Sequence, residues 1–358
     1  MKLPEFELSD WIRQYQPTLK YNFGDSGIEP PNLTEAGIDL NVESFYQKHS
    51  GEVGLEETLA ETFGLEPENV LVTSSSSEAI YLVHQALLNQ ADEVLVPVPN
   101  YPAQLKVPQV VRARPKLLDL SFEERWELDS QKVEALMSPK TRLISITSSH
   151  NPSGVLLSKG TLTSLLEIAK DADAWLLSDE AFREFGFERA PPPAATLGER
   201  GISLGTMSKF YGVGDIRIGW VLAEPAVVRR LRQLKTWITS VNSHFGEYVA
   251  KQVLEHRKWF VERARGFQDR NLGLVKRFMT SCQALKWVEP EASLYGFPKI
   301  LTGEPSIEFC KRIMGQTGVL LDPGIYFEKE GYLRLCFTKR TETVKTGLEA
   351  LEGAMPKN

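Results

Sequence analysis

Short apolar runs punctuate the chain at residues 70–73, 93–98, 116–120, 142–147, 175–179, 202–207 and 218–222. They are too short for buried helices and rich in Val, Leu and Ile, so they predict strands covered on both faces. Between several of them the apolar positions fall at helical spacing, most clearly in 78–88, 162–169 and 227–238. Leu162, Leu165, Leu166 and Ala169, for example, share one helix face. Strand and helix in alternation predict an α/β fold, a mostly parallel sheet sandwiched by helices. A longer amphipathic stretch, 247–265, predicts one helix able to bridge two domains. Beyond it the pattern loosens into amphipathic helices and strand candidates at 292–299, 319–321 and 332–337, which predict a second, smaller α+β domain.

Composition narrows the function more than the fold. The 358 residues suit two domains, and 42% hydrophobic with 25% charged residues is ordinary for a globular enzyme with a large core. A formal net charge of -6, with no long Lys/Arg run, argues against nucleic acid as a partner, because that binding needs a basic surface to displace counterions. No apolar run reaches membrane length, and the first ten residues lack the charged-then-apolar pattern of a signal peptide. The expectation is a cytoplasmic protein with no membrane partner. Cys282, Cys310 and Cys336 are odd in number and far apart, which suggests neither a disulfide framework nor a metal cluster.

The chemistry concentrates in 206–219, Thr-Met-Ser-Lys-Phe-Tyr-Gly-Val-Gly-Asp-Ile-Arg-Ile-Gly. Lys209 follows an apolar strand, so its amine must reach water or be consumed chemically, and Schiff-base formation needs such a desolvated amine. Arg217 lies across a glycine-containing turn where backbone can approach an anion. Asp179 and Glu180 close another apolar strand, and serines 74–77 stand at a strand-to-helix junction whose free N–H groups suit a dianion. Arg334 is the one cation of an apolar strand, and its planar guanidinium matches a carboxylate bidentately. Structural roles stay open for each: a solvated lysine, a loop-capping carboxylate, a serine N-cap, an inter-strand ion pair for Arg334.

Taken together, these segments resemble the class I/II aminotransferase family, fold-type I enzymes that use pyridoxal 5'-phosphate (PLP). Asn151-Pro-Ser-Gly154 resembles the family's NP[ST]G turn, Ser178-Asp-Glu180 its acidic strand end, and Thr206-Met-Ser-Lys209 with Arg217 its cofactor-lysine motif. Leu321-Asp-Pro-Gly-Ile-Tyr-Phe327 and Leu333-Arg-Leu335 resemble its PG-aromatic turn and carboxylate-binding arginine. The likeness runs from about Tyr46 to about Thr338, and the N-terminal stretch also resembles capreomycidine-synthase-like members.

The resemblance implies a large PLP-binding domain over 40–250 and a small domain formed by 1–39 with 251–358. It implies catalytic roles for Lys209, as the Schiff-base lysine that also moves the Cα proton, and for Asp179, as partner of the pyridine nitrogen. Ser75, Ser76, Ser77, Thr206 and Arg217 would cradle the phosphate, joined by Tyr46 from the neighbouring subunit of a homodimer. Tyr101 would stack on the ring, Asn151 would bond the cofactor's phenolic oxygen or the substrate carboxylate, and Arg334 and Gly27 would meet the substrate. The activity implied is transfer of an amino group between an α-amino acid and a 2-oxo acid. A lyase, cyclase or decarboxylase is the alternative, since motifs do not report which Cα bond is aligned for cleavage. Two residues depart from the family pattern. Ser75 stands where relatives often have Gly, and Phe182 where many have a Tyr whose hydroxyl bonds the phenolic oxygen.

Other readings fail on context. Gly201-Ile-Ser-Leu-Gly205 matches the hydrolase pattern G-x-S-x-G, but Ser203 falls near the start of a strand, not at a strand-to-helix turn. Gly212-Val-Gly214 does not complete a dinucleotide fingerprint. A non-catalytic PLP-binding sensor is disfavoured by the lysine and by the lack of a DNA-binding extension. His150, beside Asn151, is expected to be a backbone-bonded histidine.

Overall fold

The structure is a computed structural model and describes residues 3–48 and 53–356. At its centre lies a seven-stranded sheet in the order Val70–Thr73, Gly219–Leu222, Gly201–Thr206, Trp175–Asp179, Thr141–Thr147, Glu93–Val98, Arg114–Asp119. All run the same way except Gly219–Leu222, which is antiparallel to both its neighbours. Each strand expected from an apolar run is present, shifted by a residue or two at most.

The reason is double burial. Val94, Val96, Leu177 and Leu204 pack into a core with helices Ser76–Leu87, Pro102–Val110 and Pro225–Thr236. Leu95, Ile144 and Leu176, of the opposite parity, pack against helix Lys159–Asp171. Side chains alternate between faces, so runs apolar at both parities must be covered twice. Each fully buried Leu or Val contributes roughly 1.5–3 kcal/mol. Helix starts carry their local signals: Ser158 Oγ accepts from the Thr161 N–H at 3.0 Å, Ser243 Oγ from the Gly246 N–H at 3.1 Å, and Pro225 opens its helix.

The expected bridging helix is in fact two, His244–Glu255 and Arg257–Ser281. Between them His256 leaves helical geometry at φ -99°, ψ 21°, and its ring Nδ1 bonds Gln252 O at 2.9 Å. The first helix is thus ended without the Gly or Pro that marks a break in sequence. The expected strand over 292–299 shrinks to Tyr295–Gly296, while Lys299–Ile300 pairs with Leu285–Lys286 instead. Pro298, which has no N–H to donate, separates them.

Around these elements forms the smaller α+β part. Leu333–Cys336 lies between Tyr295–Gly296 and Asp322–Pro323, all antiparallel, with Asp322 directly opposite Arg334. Tyr21–Asn22 pairs in parallel with Val319–Leu320, so the N-terminal segment joins the C-terminal part. Helices Arg257–Ser281, Ser306–Thr317 and Thr341–Ala354 close a core that includes Val275, Phe309, Leu335 and Val344. No helix of the described residues is long and apolar enough to cross a membrane.

One glycine fixes the join between sheet and site. A Cβ on Gly219 would lie 2.6 Å from the Ser75 carbonyl carbon and 2.7 Å from the Ser76 nitrogen, so only Gly lets the serine turn close over this strand. Gly219→Ala should therefore cost about 1–3 kcal/mol by overpacking. Gly160→Ala, whose Cβ would meet only Ser158 Oγ at 3.6 Å within a helix, should not destabilise. Thermal unfolding of both variants checks this, and equal midpoints would refute the role of Gly219.

Candidate active site

The carboxyl ends of the parallel strands bring distant segments to one edge. Thr73 leads into the serine turn, Val98 to Tyr101, Thr147 to Asn151 and Thr206 to Lys209, while Asp179 itself ends its strand. Because Gly219–Leu222 runs the opposite way, its entry at Arg217 reaches the same edge. Open α/β sheets bind ligands there. A cavity of about 200 Å³ lies at this edge, lined by all the expected site residues except Tyr46, Gly27 and Arg334, and additionally by Ser26, Thr147, Ala181 and Ser208.

Lys209 is half-buried, and its Nζ donates to Ser26 Oγ at 3.1 Å and stands 5.8 Å from the centre of the Phe182 ring. Burial pulls its pKa down, with the Arg334 charge adding to the effect and Asp25 opposing it. Asp179 is 5% exposed: Oδ1 accepts from the Ala181 N–H at 3.2 Å and Oδ2 from Gln104 Nε2 at 3.1 Å. Ser145 Oγ donates to Gln104 Oε1 at 2.6 Å and fixes the amide's orientation. Burial raises the Asp179 carboxyl to about 6 against the pull of those donors and of Lys209. Gln104 and Ser145 were not expected, and their only signal is a polar residue in an otherwise apolar stretch, as with Gln104 between Ala103 and Leu105; Ser26 lies in the polar loop between Asp25 and Gly27.

At the other end of the cavity Ser75 caps the helix that begins at Ser76, its Oγ accepting from the Glu78 N–H at 3.3 Å. The departure from Gly at this position therefore serves the helix start. Tyr101 shares a hydrogen bond with the Ser77 hydroxyl, and burial raises its phenol pKa. Thr206 Oγ1 donates to Ser208 Oγ at 3.1 Å and accepts from the Ser208 N–H at 3.2 Å. Arg217, at a left-handed φ of 56°, is exposed, with Nη1 donating to Gly214 O at 3.0 Å.

Three expected residues lie outside the cavity lining. Gly27 belongs to a loop sealed against the lysine turn: the Ile28 N–H donates to Lys209 O at 3.2 Å, and a Cβ on Gly27 would sit 3.0 Å from Ser208 O. Arg334 is 3% exposed and reaches the cavity through Asn151, its Nη1 donating to Asn151 Oδ1 at 3.1 Å. Its Nε/Nη2 edge holds Asp322, the inter-strand ion pair that the sequence leaves open for this arginine. Tyr46 is 72% exposed on helix Val42–Lys48, away from this chain's cavity. His150 is the expected structural histidine, with Nε2 on Pro99 O at 2.9 Å and Nδ1 on Ser153 Oγ at 2.6 Å. Ser203 is buried in mid-strand and donates to Glu180 Oε1 at 2.7 Å, which excludes a hydrolase nucleophile.

An amine made easier to deprotonate by burial shares its cavity with a carboxylate made easier to protonate by burial. That pairing gains from a ligand carrying a carbonyl on a cationic ring, the chemistry of fold-type I PLP enzymes. The sequence pattern of the family described as aminotransferase class I and II matches residues 20–351, and the chain belongs to that family. It is 26% identical to an aspartate aminotransferase of Pyrococcus horikoshii, over 98% of this chain and 93% of that protein. To the capreomycidine synthase of Streptomyces vinaceus it is 27% identical over the same shares, 98% and 93%. A crystal structure of a PLP-dependent aminotransferase from Streptococcus suis superposes with a TM-score of 0.93 at 30% identity, covering 100% of both chains. The cofactor is PLP and the activity a PLP-dependent transamination.

The residues present fit PLP, with an amine, a buried carboxylate, an aromatic ring and a serine-capped helix start around one space. Gln104 is the side chain that holds Asp179 at the edge of this space. Gln104→Leu should remove a hydrogen bond to a charged group, about 1.5–3 kcal/mol, and weaken PLP binding on the order of tenfold or more. Absorbance titration of the apoenzyme with PLP measures it; an unchanged dissociation constant would refute the role.

Proposed function

We propose that Lys209 carries PLP, that Asp179 keeps its ring nitrogen protonated, and that Arg334 with Asn151 receives the α-carboxylate of the amino acid whose amino group is transferred to a 2-oxo acid. The observation that carries this reading is the half-buried Lys209 amine, bonded to the neutral Ser26 hydroxyl and sharing one cavity with Asp179. PLP, when bound, supplies the electron sink that lets the Cα proton leave. Lys209 Nζ, its proton affinity lowered by burial, takes that proton and returns it. Arg217, Thr206 and the Ser75–Ser77 turn at the start of a helix take the phosphate. Tyr101 and Phe182 supply ring faces, and Gly27 closes the substrate side.

Further readings attach to the rest of the molecule. We infer a homodimer in which Tyr46 reaches the partner's phosphate site, supported by the exposure of Tyr46, Val42, Trp237 and Val241 around helix His244–Glu255. The division into 40–250 and a smaller domain of 1–39 with 251–358 is supported by the pairing of Tyr21–Asn22 with Val319–Leu320. A cytoplasmic setting is supported by the free state of Cys282, Cys310 and Cys336.

A panel of α-amino acids mixed with the holoenzyme tests the central reading. A good donor should convert the cofactor to its pyridoxamine form and release the matching 2-oxo acid. Borohydride should fix the cofactor onto Lys209 and Lys209→Ala should abolish fixation; an active linkage at another lysine would overturn the assignment.

The 27% identity to a capreomycidine synthase supports one second reading beside transamination, a PLP-dependent cyclase or lyase. In that case the panel would give product with the cofactor returned unchanged. Phe182 also sets a pH dependence. With no donor from residue 182 to stabilise the cofactor's phenolate, that oxygen holds the proton on Lys209 Nζ more tightly. The PLP-linked Lys209 should therefore stay protonated to higher pH than in Phe182→Tyr. A spectrophotometric titration giving the Tyr variant an equal or higher pKa would show that residue 182 does not face that oxygen.

A further inference from the structure

Asp322 is fully buried, and its Oδ2 accepts from Arg334 Nε at 3.0 Å and from Nη2 at 2.7 Å. Nη2 also donates to Gly24 O at 3.0 Å and Nη1 to Asn151 Oδ1 at 3.1 Å. A guanidinium has five N–H donors, so these four bonds leave a single one, on Nη1, for an incoming ligand. The other carboxylate oxygen, Oδ1, is buried without a hydrogen-bond partner among the described residues, and a Cβ on Gly24 would come within 2.6 Å of it. A substrate carboxylate thus meets a cation already neutralised, with a second anion beside it. Two carboxylates sharing one cation out of water do not both stay ionised without a large penalty.

We propose that Asp322 is a counter-ion that takes up a proton on Oδ1 when a carboxylate binds Arg334 and Asn151, so that carboxylate affinity falls as pH rises. The inference rests on the reading of Arg334 as the carboxylate site. The proton comes from solvent, an O–H bond forms on the oxygen that lacks a partner, and Oδ2 keeps its bonds to Arg334.

The surrounding charges are consistent with this. Burial raises Asp322 to about 6, against the pull of Arg334 and Lys209, and Asp25 raises it further. Asp25, although partly desolvated, is held low by Lys339 and Lys209 and stays ionised. The neighbouring thiols of Cys310 and Cys336 are pushed up by burial, Cys336 to about 12, and stay neutral. Below about 6, Asp322 is already neutral and binding draws no proton; above it, each bound carboxylate must draw one, and affinity falls up to about tenfold per pH unit.

Calorimetric titration of the holoenzyme with propionate, in buffers of different ionisation enthalpy, counts the protons taken up. The share carried by Lys209 is read separately from the cofactor's absorbance. Wild type should take up most of a further proton at about pH 7.5 and lose affinity on the order of tenfold from about pH 6.5 to 7.5. Asp322→Asn should take up none beyond Lys209, bind propionate on the order of thirtyfold tighter at the higher pH, and keep only the pH dependence that Lys209's share accounts for. Absence of the extra proton in wild type, or the same uptake in Asp322→Asn, overturns the inference. Arg334→Gln separates the two layers: lost affinity there with a wild-type-like Asp322→Asn leaves the carboxylate site standing and sinks only the counter-ion. Unchanged affinity in Arg334→Gln removes the site and the inference together.

Discussion

The buried guanidinium of Arg334 ties three parts of the chain together at one point. It bonds Gly24 O in the N-terminal loop, Asn151 in the turn after strand Thr141–Thr147, and Asp322 on the adjoining strand. A guanidinium that is 3% exposed is tolerable only when its donors are met, since an uncompensated buried charge costs about 3–5 kcal/mol. Closure of the loop, the sheet edge and the small antiparallel sheet around that side chain is therefore one coupled event. The seam so formed faces the cavity, and its charge balance reaches Lys209 through space.

Strand positions were readable because both parities of each central run are apolar, a property local to the run. Leu176 and Leu177 face opposite cores, and neither needs a particular distant partner to be recognised as buried. The strand-end lysine and aspartate were readable for a related reason: a charged residue closing a run of buried neighbours stands out in one dimension. The break at His256 was not, because it depends on a histidine ring bonding a carbonyl one turn back rather than on Gly or Pro.

Residues whose role comes from pairing were the least legible. Gln104 is ordinary until its amide is seen between Ser145 and Asp179, the latter 75 positions away. Asp322 stood within a quoted motif, but only the cross-strand register with Arg334 reveals it as an ion-pair partner. For Arg334 the sequence allows an inter-strand ion pair or a carboxylate ligand as alternatives. The geometry shows the ion pair, with the Nε/Nη2 edge on Asp322, and leaves Nη1 turned to Asn151 with one donor uncommitted.

That ion pair separates two kinds of anion binding. Arg217 is exposed and has no carboxylate partner among the described residues; it shares the cavity lining with Ser75 to Ser77, where a helix begins. Unopposed charge and free N–H groups favour a dianion that stays through many turnovers. Arg334 is buried, carries its own counter-ion and offers one uncommitted donor, so an anion there gains less net attraction and leaves more readily. A cofactor must remain while substrates of like charge come and go. On the proposed assignment of the phosphate to Arg217 and the substrate carboxylate to Arg334, an uncompensated cation at one end and a compensated one at the other would achieve this with two arginines, the difference lying in what each already holds.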